Sequence, residues 1–465
     1  MTRWSGEFKR QARRLVTGVC HSTNRLVLCG LVFLLCAILQ LREPRHVTFP
    51  IVLNRSEGLK IVMVIFGTRP EAVKMAPIIH ELAKSAQLTS YIVSTGQHKE
   101  MLNQVLSEFG LSNKVHENLA LMKPGQRLST LSSSAIEKID DVVSRIRPDF
   151  VLVQGDTTTA FIAALVSFYE KIPVGHIEAG LRTRDIYSPF PEEINRQSIS
   201  NIASLHFAPT ELSANNLKAE GKINNVFITG NTVVDALYTV LQKPDSKIVV
   251  DYRERLRTRS RTEDTKMILL TAHRRENFGE PLRHIFSAVD TLLRGHLDVI
   301  ILYPIHLNPE VSKAAKAFFG EKDFKNIQKG RRISQSNMSH LDRLLIVPPV
   351  EHTELVALIQ SSYFVLTDSG GIQEEAITLG KPVLVLRDTT ERPEGVQAGA
   401  SRLVGHSTNT IVQAAHELLT QEQVYANMSN ARQLFGDGRS AEKIVKIVEN
   451  FLTARDNSGC KRNCD

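Results

Sequence analysis

The chain has 465 residues, more than one compact domain usually carries, with 42% hydrophobic and 23% charged residues. This balance excludes disorder for most of the chain, and a polytopic membrane protein is excluded because only one apolar run approaches spanning length. The net charge of +8 comes mainly from the ends, since residues 1–59 carry +6 and residues 455–465 carry +1. The body, residues 60–454, is nearly neutral, which argues against a nucleic-acid partner.

All the cysteines lie near the ends of the chain, outside the body. The body therefore offers no disulfide framework, no thiolate zinc site and no cysteine nucleophile. A body without cysteine suits a reducing compartment and would also survive an oxidising one. The cysteines are Cys20, Cys29, Cys36, Cys460 and Cys464.

The N-terminal extension is predicted to anchor the chain in a membrane. Residues 1–25 are basic, residues 26–42 are almost entirely apolar, and residues 43–59 form a stem with two prolines. Because the basic residues precede the apolar run, the positive-inside rule predicts a single-pass membrane protein with a cytosolic N-terminus and its body in the secretory-pathway lumen. A cleaved signal peptide, a buried hydrophobic helix and a cytoplasmic body are the alternatives.

Along the body, apolar runs that predict buried strands alternate with helical patterns. The first run, Lys60–Phe66, precedes Pro70, which suits a first helical turn, and apolar residues at helical spacing follow. The alternation restarts after a charged stretch at 251–266, so we predict two doubly wound α/β domains with a cleft between them. The other predicted strands are Tyr91–Val93, Phe150–Val153, Ile172–Gly175, Val226–Ile228, Met267–Leu270, Val299–Leu302, Leu344–Val347, Tyr363–Leu366 and Val383–Leu386.

The predicted domain boundaries follow from this alternation. Residues 60–238 form the first domain and residues 239–432 the second, with a polar surface insertion at 320–343. A C-terminal helix at 433–455 and a tail at 456–465 complete the chain.

Polar clusters follow directly on the predicted strands. In an open parallel sheet, residues at the carboxyl ends of the strands line the ligand crevice, so these clusters predict a site between the two domains. The clusters are Gly67–Glu71, Gly155–Thr159, His176–Gly180, Thr271–Glu276 and Asp368–Gly371.

The segment Ser369, Gly370 and Gly371 opens a predicted helix, whose exposed N–H groups attract phosphate. Glycine also lets the backbone approach a ligand closely. Four cations near the polar clusters could bind an anionic ligand, namely Arg69, Lys74, Arg196 and Arg392. An ordinary helix cap and surface ion pairs are the alternative interpretations.

Three carboxylates are candidates for acid–base work, Asp156, Glu178 and Glu192, because neighbouring carboxylates in one crevice can differ in pKa. His273 could move a proton near neutral pH. Glu192 could instead complement a helix dipole, and His273 could be a hydrogen-bonded structural histidine. The histidines lack metal-binding spacing and the GxGxxG fingerprint is missing, so neither a metal nor a cofactor such as NAD is predicted.

Together these segments resemble the bacterial-type, non-hydrolysing UDP-N-acetylglucosamine 2-epimerase family. The resemblance implies two Rossmann-like domains in the glycosyltransferase-B arrangement, the second binding UDP, and a homodimer. It also implies interconversion of UDP-GlcNAc and UDP-ManNAc without a redox cofactor. The matching motifs, in chain order, are GTRPEAVKMAP, TGQHKEML, QGDTTTA, HIEAGLRT, SPFPEEINR, ITGNTVVDAL, TAHRRENFG, YPIHLNP and DSGGIQEEAITLGKPVLVLRDTTERPEG.

The resemblance also assigns roles to single residues. Asp156, Glu178, Glu192 and His273 match the family's acid–base set, and Arg69, Lys74 and Arg196 match substrate-contacting cations. Ser369, Gly370 and Gly371 match the diphosphate loop, Glu375 the ribose contact and Arg392 another nucleotide contact. Gln97 and His98 match positions that hold an activating second UDP-GlcNAc in some members, although Gly125 stands where those members have an arginine.

The hydrogen on C2 of an N-acetylhexosamine is not acidic, so simple deprotonation there is implausible. The family's route eliminates UDP across C1–C2 to give 2-acetamidoglucal and then adds UDP back with a proton on the other face. This route needs several carboxylates and firm capture of the diphosphate. The alternatives are a hydrolysing epimerase that releases ManNAc and UDP, a glycosyltransferase of the same fold, and a non-enzymatic nucleotide-sugar sensor.

Overall fold

The computed structural model describes residues 58–457 except 97–98, 123–124, 261, 263, 322–323, 325–338 and 431–432. Several sequence predictions concern residues outside this range: the basic segment 1–25, the anchor 26–42, the stem up to residue 57, and most of the insertion. Also outside it are Gln97, His98, the five cysteines and the tail beyond residue 457.

The first sheet has seven described strands, all paired in parallel, in the order β3-β2-β1-β4-β5-β6-β7. The central strand, β1, is an almost purely apolar run with all but its first residue buried, as expected for a strand covered on both faces. The strands are β1 Lys60–Phe66, β2 Leu88–Ser94, β3 Glu117–Asn118, β4 Phe150–Gln154, β5 Val174–Ile177, β6 Leu205–Ala208 and β7 Val226–Ile228.

Helices connect these strands and cover the sheet. The first helix, α1, begins at Arg69 after a Thr68–Glu71 capping box and continues through Pro77. The helices are α1 Arg69–Leu82, α2 Lys99–Glu108, α3 Leu128–Ile146, α4 Thr158–Tyr169, α5 Glu192–Ile202, α6 Glu211–Ala219 and α7 Thr232–Leu241.

The second sheet has six described strands, again parallel, in the order β10-β9-β8-β11-β12-β13. These strands are β8 Lys266–Thr271, β9 Val299–Pro304, β10 Leu344–Val347, β11 Phe364–Thr367, β12 Val383–Val385 and β13 Ser401–Leu403. The helices are α8 Lys247–Arg257, α9 Glu280–Gly295, α10 Pro309–Phe319, α11 His352–Ser361, α12 Gly370–Thr378, α13 Pro393–Gln397, α14 Thr408–Thr420, α15 Glu422–Ser429 and α16 Ser440–Asn457. Short 3-10 helices occupy Arg275–Asn277 and His340–Arg343. The prediction of two parallel α/β domains is confirmed.

The C-terminal helix, α16, returns to the first sheet. Its apolar face, including Ile444 and Val448, belongs to the same buried cluster as Val62 of β1 and Met75 of α1. The buried Asp235 of α7 accepts the N–H of Ala441 at 2.8 Å and so fixes the start of α16. Burying each such aliphatic side chain contributes about 1.5–3 kcal/mol. The helix therefore packs the last part of the described chain firmly against β1 and α1, which come first.

One local prediction is corrected by the structure. The insertion 320–343 does not lie wholly at the surface, because its last residue, Arg343, is buried and donates hydrogen bonds to carbonyls at the end of α9 and at the start of β9.

The membrane prediction is also corrected. Among the helices of residues 58–457 that the structure describes, none combines the length and apolar character that crossing a bilayer requires. This finding contradicts the predicted single-pass membrane protein with its body in the secretory-pathway lumen, and we withdraw that prediction. The apolar run at 26–42 itself lies outside the described residues.

Candidate active site

The loops after β1 and β4 are joined by one buried carboxylate. Glu71, in the first turn of α1, accepts the N–H groups of Gly67 at 3.0 Å and Thr68 at 2.6 Å. It also accepts the Thr157 hydroxyl at 2.7 Å. Burial raises the pKa of Glu71, while these donors lower it. Glu71 therefore holds the loop before Arg69 against the loop that contains Asp156.

Glu178 lies at the carboxyl end of β5 in a left-handed backbone conformation, with φ of 63°. Its carboxylate is buried and accepts hydrogen bonds from Lys74 at 2.6 and 2.7 Å, from Asn231 at 3.0 Å and from Gln154. From the second domain, Arg392 Nη2 donates to it at 3.0 Å. Burial alone would raise the pKa of Glu178, but Lys74 and Arg392 together hold it well below its usual range.

Arg392 connects Glu178 to the glycine-containing start of α12. Its Nε donates to Glu374 at 3.2 Å, and Asn231 bridges Glu178 and Glu374 at 3.0 Å to each. Burial raises the pKa of Glu374, although Arg392 opposes the shift. We call the buried set Lys74, Glu178, Asn231, Glu374 and Arg392 the ion network. Its two cations and two carboxylates span both domains.

Gly370 lies directly against the guanidinium of Arg392. A β-carbon at this position would be 2.6 Å from Nη1 and 2.8 Å from Cζ of Arg392. A β-carbon at Gly371 would have no heavy atom within 4 Å. The first glycine is therefore required for packing, whereas the second leaves open space beside the helix start.

We expect Gly370→Ala to lower the free energy of unfolding by about 1–3 kcal/mol, because the added methyl group displaces a buried guanidinium. Gly371→Ala is the matched control, and it should be neutral or stabilising by up to about 1 kcal/mol, since alanine favours a helix. Urea denaturation of both variants measures the difference. Equal stability of the two variants would contradict the packing assigned to Gly370.

A second polar group contains Asp156, Glu192 and Arg196. Arg196, buried on α5, donates to Asp156 and, at 3.1 Å, to Glu193. Glu192 begins α5 and is half-buried. Burial raises the pKa of Glu192, and the nearby charge of Asp156 raises it further, while Arg274 and Arg196 lower it. This group places the carboxylates of Asp156, Glu192 and Glu193 near the guanidinium of Arg196, at the carboxyl edge of the first sheet.

His273 follows β8 and is held by a buried aspartate. Asp368 accepts the backbone N–H groups of His273 at 2.7 Å and Arg274 at 2.8 Å. The Nδ1 atom of His273 lies 3.2 Å from Asp368, and its ring stacks on His306 with centroids 5.1 Å apart. The ring is about one-third exposed, so it combines a fixed orientation with an open face.

Arg69 and Glu375 lie where the two domains meet near α11. The Nη2 atom of Arg69 donates to the carbonyl of Val350 at 3.4 Å. Burial lowers the pKa of Arg69. Glu375, in α12, is buried and lies 2.6 Å from Nε2 of His352. Ser369 stands at the start of α12, but its side chain does not cap the helix, and its N–H donates to Thr367 at 3.0 Å.

The structure therefore brings Lys74, Glu178, Gly370 and Arg392 into direct contact and pairs Asp156 with Arg196. Lys74, Arg196 and Arg392 are buried, which excludes the alternative of surface ion pairs. Within the described part of the chain, no three His, Cys, Asp or Glu side chains are grouped as a metal site would require. The buried partners to which the sequence assigned no individual role are Glu71, Gln154, Asn231, Asp368 and Glu374.

Two parallel α/β sheets with a buried charged site at their carboxyl ends define a class of two-domain nucleotide-binding folds. Residues 80–449 match the model of the UDP-N-acetylglucosamine 2-epimerase family. The epimerases of that name from Bacillus subtilis and Yersinia pestis are 46% and 45% identical, covering 83% and 84% of this chain and 94% and 98% of their own. The crystal structure of the Neisseria meningitidis UDP-GlcNAc 2-epimerase bound to UDP-GlcNAc is also similar, with 43% sequence identity and a TM-score of 0.74. The match covers 84% of this chain and 100% of the Neisseria chain. The chain belongs to the UDP-N-acetylglucosamine 2-epimerase family.

Proposed function

We propose that this protein is an isomerase that interconverts UDP-GlcNAc and UDP-ManNAc without net hydrolysis. The observation that carries the proposal is the position of Arg392, which touches Gly370 at the helix start and Glu178 in the same site. A cation at this point can stabilise a departing diphosphate while lying beside a carboxylate that handles protons. Membership of the epimerase family supports the same reaction.

In the proposed first step, a carboxylate takes the proton from C2 of the sugar. The C1–O bond to the β-phosphate breaks, its electron pair leaves with UDP, and a C1=C2 double bond forms. The product is 2-acetamidoglucal, and the start of α12 with Arg392 would hold the departing diphosphate. In the second step, the phosphate oxygen adds back to C1 and C2 receives a proton on the opposite face.

The carboxylates of the site lie in different environments, which suit different roles in the reaction. Glu192, whose pKa is raised by burial, is suited to carry a proton and donate it. Asp156, paired with Arg196, is suited to accept one. Glu178 is ionised within the network, and it would serve as a base once the diphosphate competes for Arg392. His273 is oriented by Asp368 beside the second sheet.

Three alternatives differ from this proposal in their products. A hydrolysing epimerase would release ManNAc, a glycosyltransferase would need an acceptor, and a nucleotide-sugar sensor would bind UDP without turnover. A homodimer, the domain boundaries and a second UDP-GlcNAc site at Gln97 and His98 remain predictions.

Proton NMR of the purified full chain with UDP-GlcNAc in D2O tests the proposal. We expect UDP-ManNAc to accumulate without an acceptor and the C2 hydrogen of both sugars to be replaced by deuterium. The reason is that each turnover removes the C2 proton and returns one from solvent. Stoichiometric free ManNAc would instead establish hydrolysis, and unchanged UDP-GlcNAc would overturn the proposed reaction.

A further inference from the structure

Apart from the ion network, another buried group of charged side chains joins the two domains. It lies at α2, α11 and α12. His352 begins α11, and its Nε2 lies 2.6 Å from Oε1 of Glu375. On its other side, Nδ1 lies 3.7 Å from Oε1 of Glu108, the last residue of α2. Thr353 donates its hydroxyl to the same Glu108 oxygen. The side chains of His352, Glu108 and Glu375 are 8%, 7% and 5% exposed, so water does not screen these contacts.

We call Glu108, His352, Thr353 and Glu375 the histidine bridge. Burial alone would lower the pKa of His352, but the two flanking carboxylates raise it to about 9. The imidazole is therefore a cation at neutral pH, and it compensates carboxylates that would otherwise be buried without a partner. The other charges facing this group are Arg69, Lys243, Glu351 and Glu354.

We propose that His352 is a positioning residue, which fixes Glu375 for a nucleotide ribose and, through Glu108, makes nucleotide affinity depend on contact between the domains. The inference rests on the proposed function, because Glu375 is the proposed ribose contact. His352 itself would not touch the nucleotide.

The geometry explains how such a residue acts. With Oε1 of Glu375 held by His352, Oε2 is left to accept a ribose hydroxyl in one fixed orientation. The imidazolium also compensates the negative charge of this buried carboxylate, and charged acceptors form the stronger hydrogen bonds. Because Glu108 comes from α2 of the first domain, the imidazolium is fully compensated only when the domains are in contact.

Calorimetric titration of the full chain with UDP tests the proposal. We expect His352→Gln to weaken UDP binding about tenfold, as loss of one charge-assisted hydrogen bond would. In the epimerase assay, the KM for UDP-GlcNAc should rise similarly while kcat changes less than about twofold, because the acid–base groups are untouched.

Glu108→Gln tests the contact between domains. We expect it to weaken UDP binding about threefold, and the double variant His352→Gln/Glu108→Gln should be no weaker than His352→Gln alone, because both act through one bridge. His284→Gln, which removes an exposed histidine of α9 outside the bridge, is the matched control and should change UDP affinity less than about twofold.

The pH dependence gives an independent readout. UDP affinity of the unaltered chain should fall as the pH rises through about 9, where His352 loses its proton. This decrease should be absent in His352→Gln. If His352 had only a structural role, His352→Gln would have a lower melting temperature, but its UDP affinity would still decrease as the pH rises through about 9.

The outcomes separate this inference from the proposed function. If the unaltered chain fails to bind UDP, the proposed function fails. If it binds UDP and His352→Gln, folded by circular dichroism, binds equally well, then the positioning role is wrong. Additive effects of the His352 and Glu108 substitutions would refute the coupling between the domains.

Discussion

Replacement of Asp156 by asparagine is expected to lower kcat by about a thousandfold, within the range of general acid–base catalysis. The carboxylate is about one-quarter exposed and pairs with Arg196, which retains Glu193 at 3.1 Å when Asp156 is neutralised. The fold should therefore survive, and UDP affinity should change little. Proton NMR in D2O measures the effect directly, since C2 exchange should slow together with formation of UDP-ManNAc.

A matched control is Asp251→Asn, on the exposed face of α8, which changes the same functional group outside the site. It should leave C2 exchange unaltered. Full-rate deuterium incorporation in Asp156→Asn would show that another group handles the C2 proton, and Glu178 or Glu192 would then be the first candidates.

The central strands of both sheets could be predicted because a strand covered on both faces is a continuous apolar run. The central strand Lys60–Phe66 is predicted with the bounds that the structure has, and so are two edge strands, Val226–Ile228 and Leu344–Val347. Three strands are missed for identifiable reasons. β3 and β13 are edge strands of two and three residues, and β6 contains the buried His206, which interrupts its apolar pattern.

The location of the site could be predicted more fully than its contacts. The positions of Asp156, Glu178 and His273 follow from their place just after parallel strands. Pairings such as Glu178 with Arg392, 214 positions apart, leave no periodic trace in a single sequence. Asn231 and Glu374 belong to recognisable motifs, yet only the folded chain shows that they complete the ion network.

Replacement of Arg392 by glutamine is expected to lower the free energy of unfolding by about 3–5 kcal/mol, as loss of one partner from a buried ion pair does. Glu178 would keep Lys74, whereas the charge of Glu374 would lose its cationic contact. The orphaned Glu374 would then bind a proton in the folded state more readily than in the unfolded state. The loss of stability should therefore be larger at pH 8 than at pH 5.

The double variant Arg392→Gln/Glu374→Gln distinguishes charge compensation from packing. If the orphaned carboxylate causes the loss, the second substitution should restore about 1–3 kcal/mol and remove the difference between pH 5 and pH 8. Urea denaturation of both variants at the two pH values provides the measurement. A loss that is independent of pH and unchanged by the second substitution would mean that Arg392 stabilises the domain contact by packing alone, and Glu374 would then be neutral beside it.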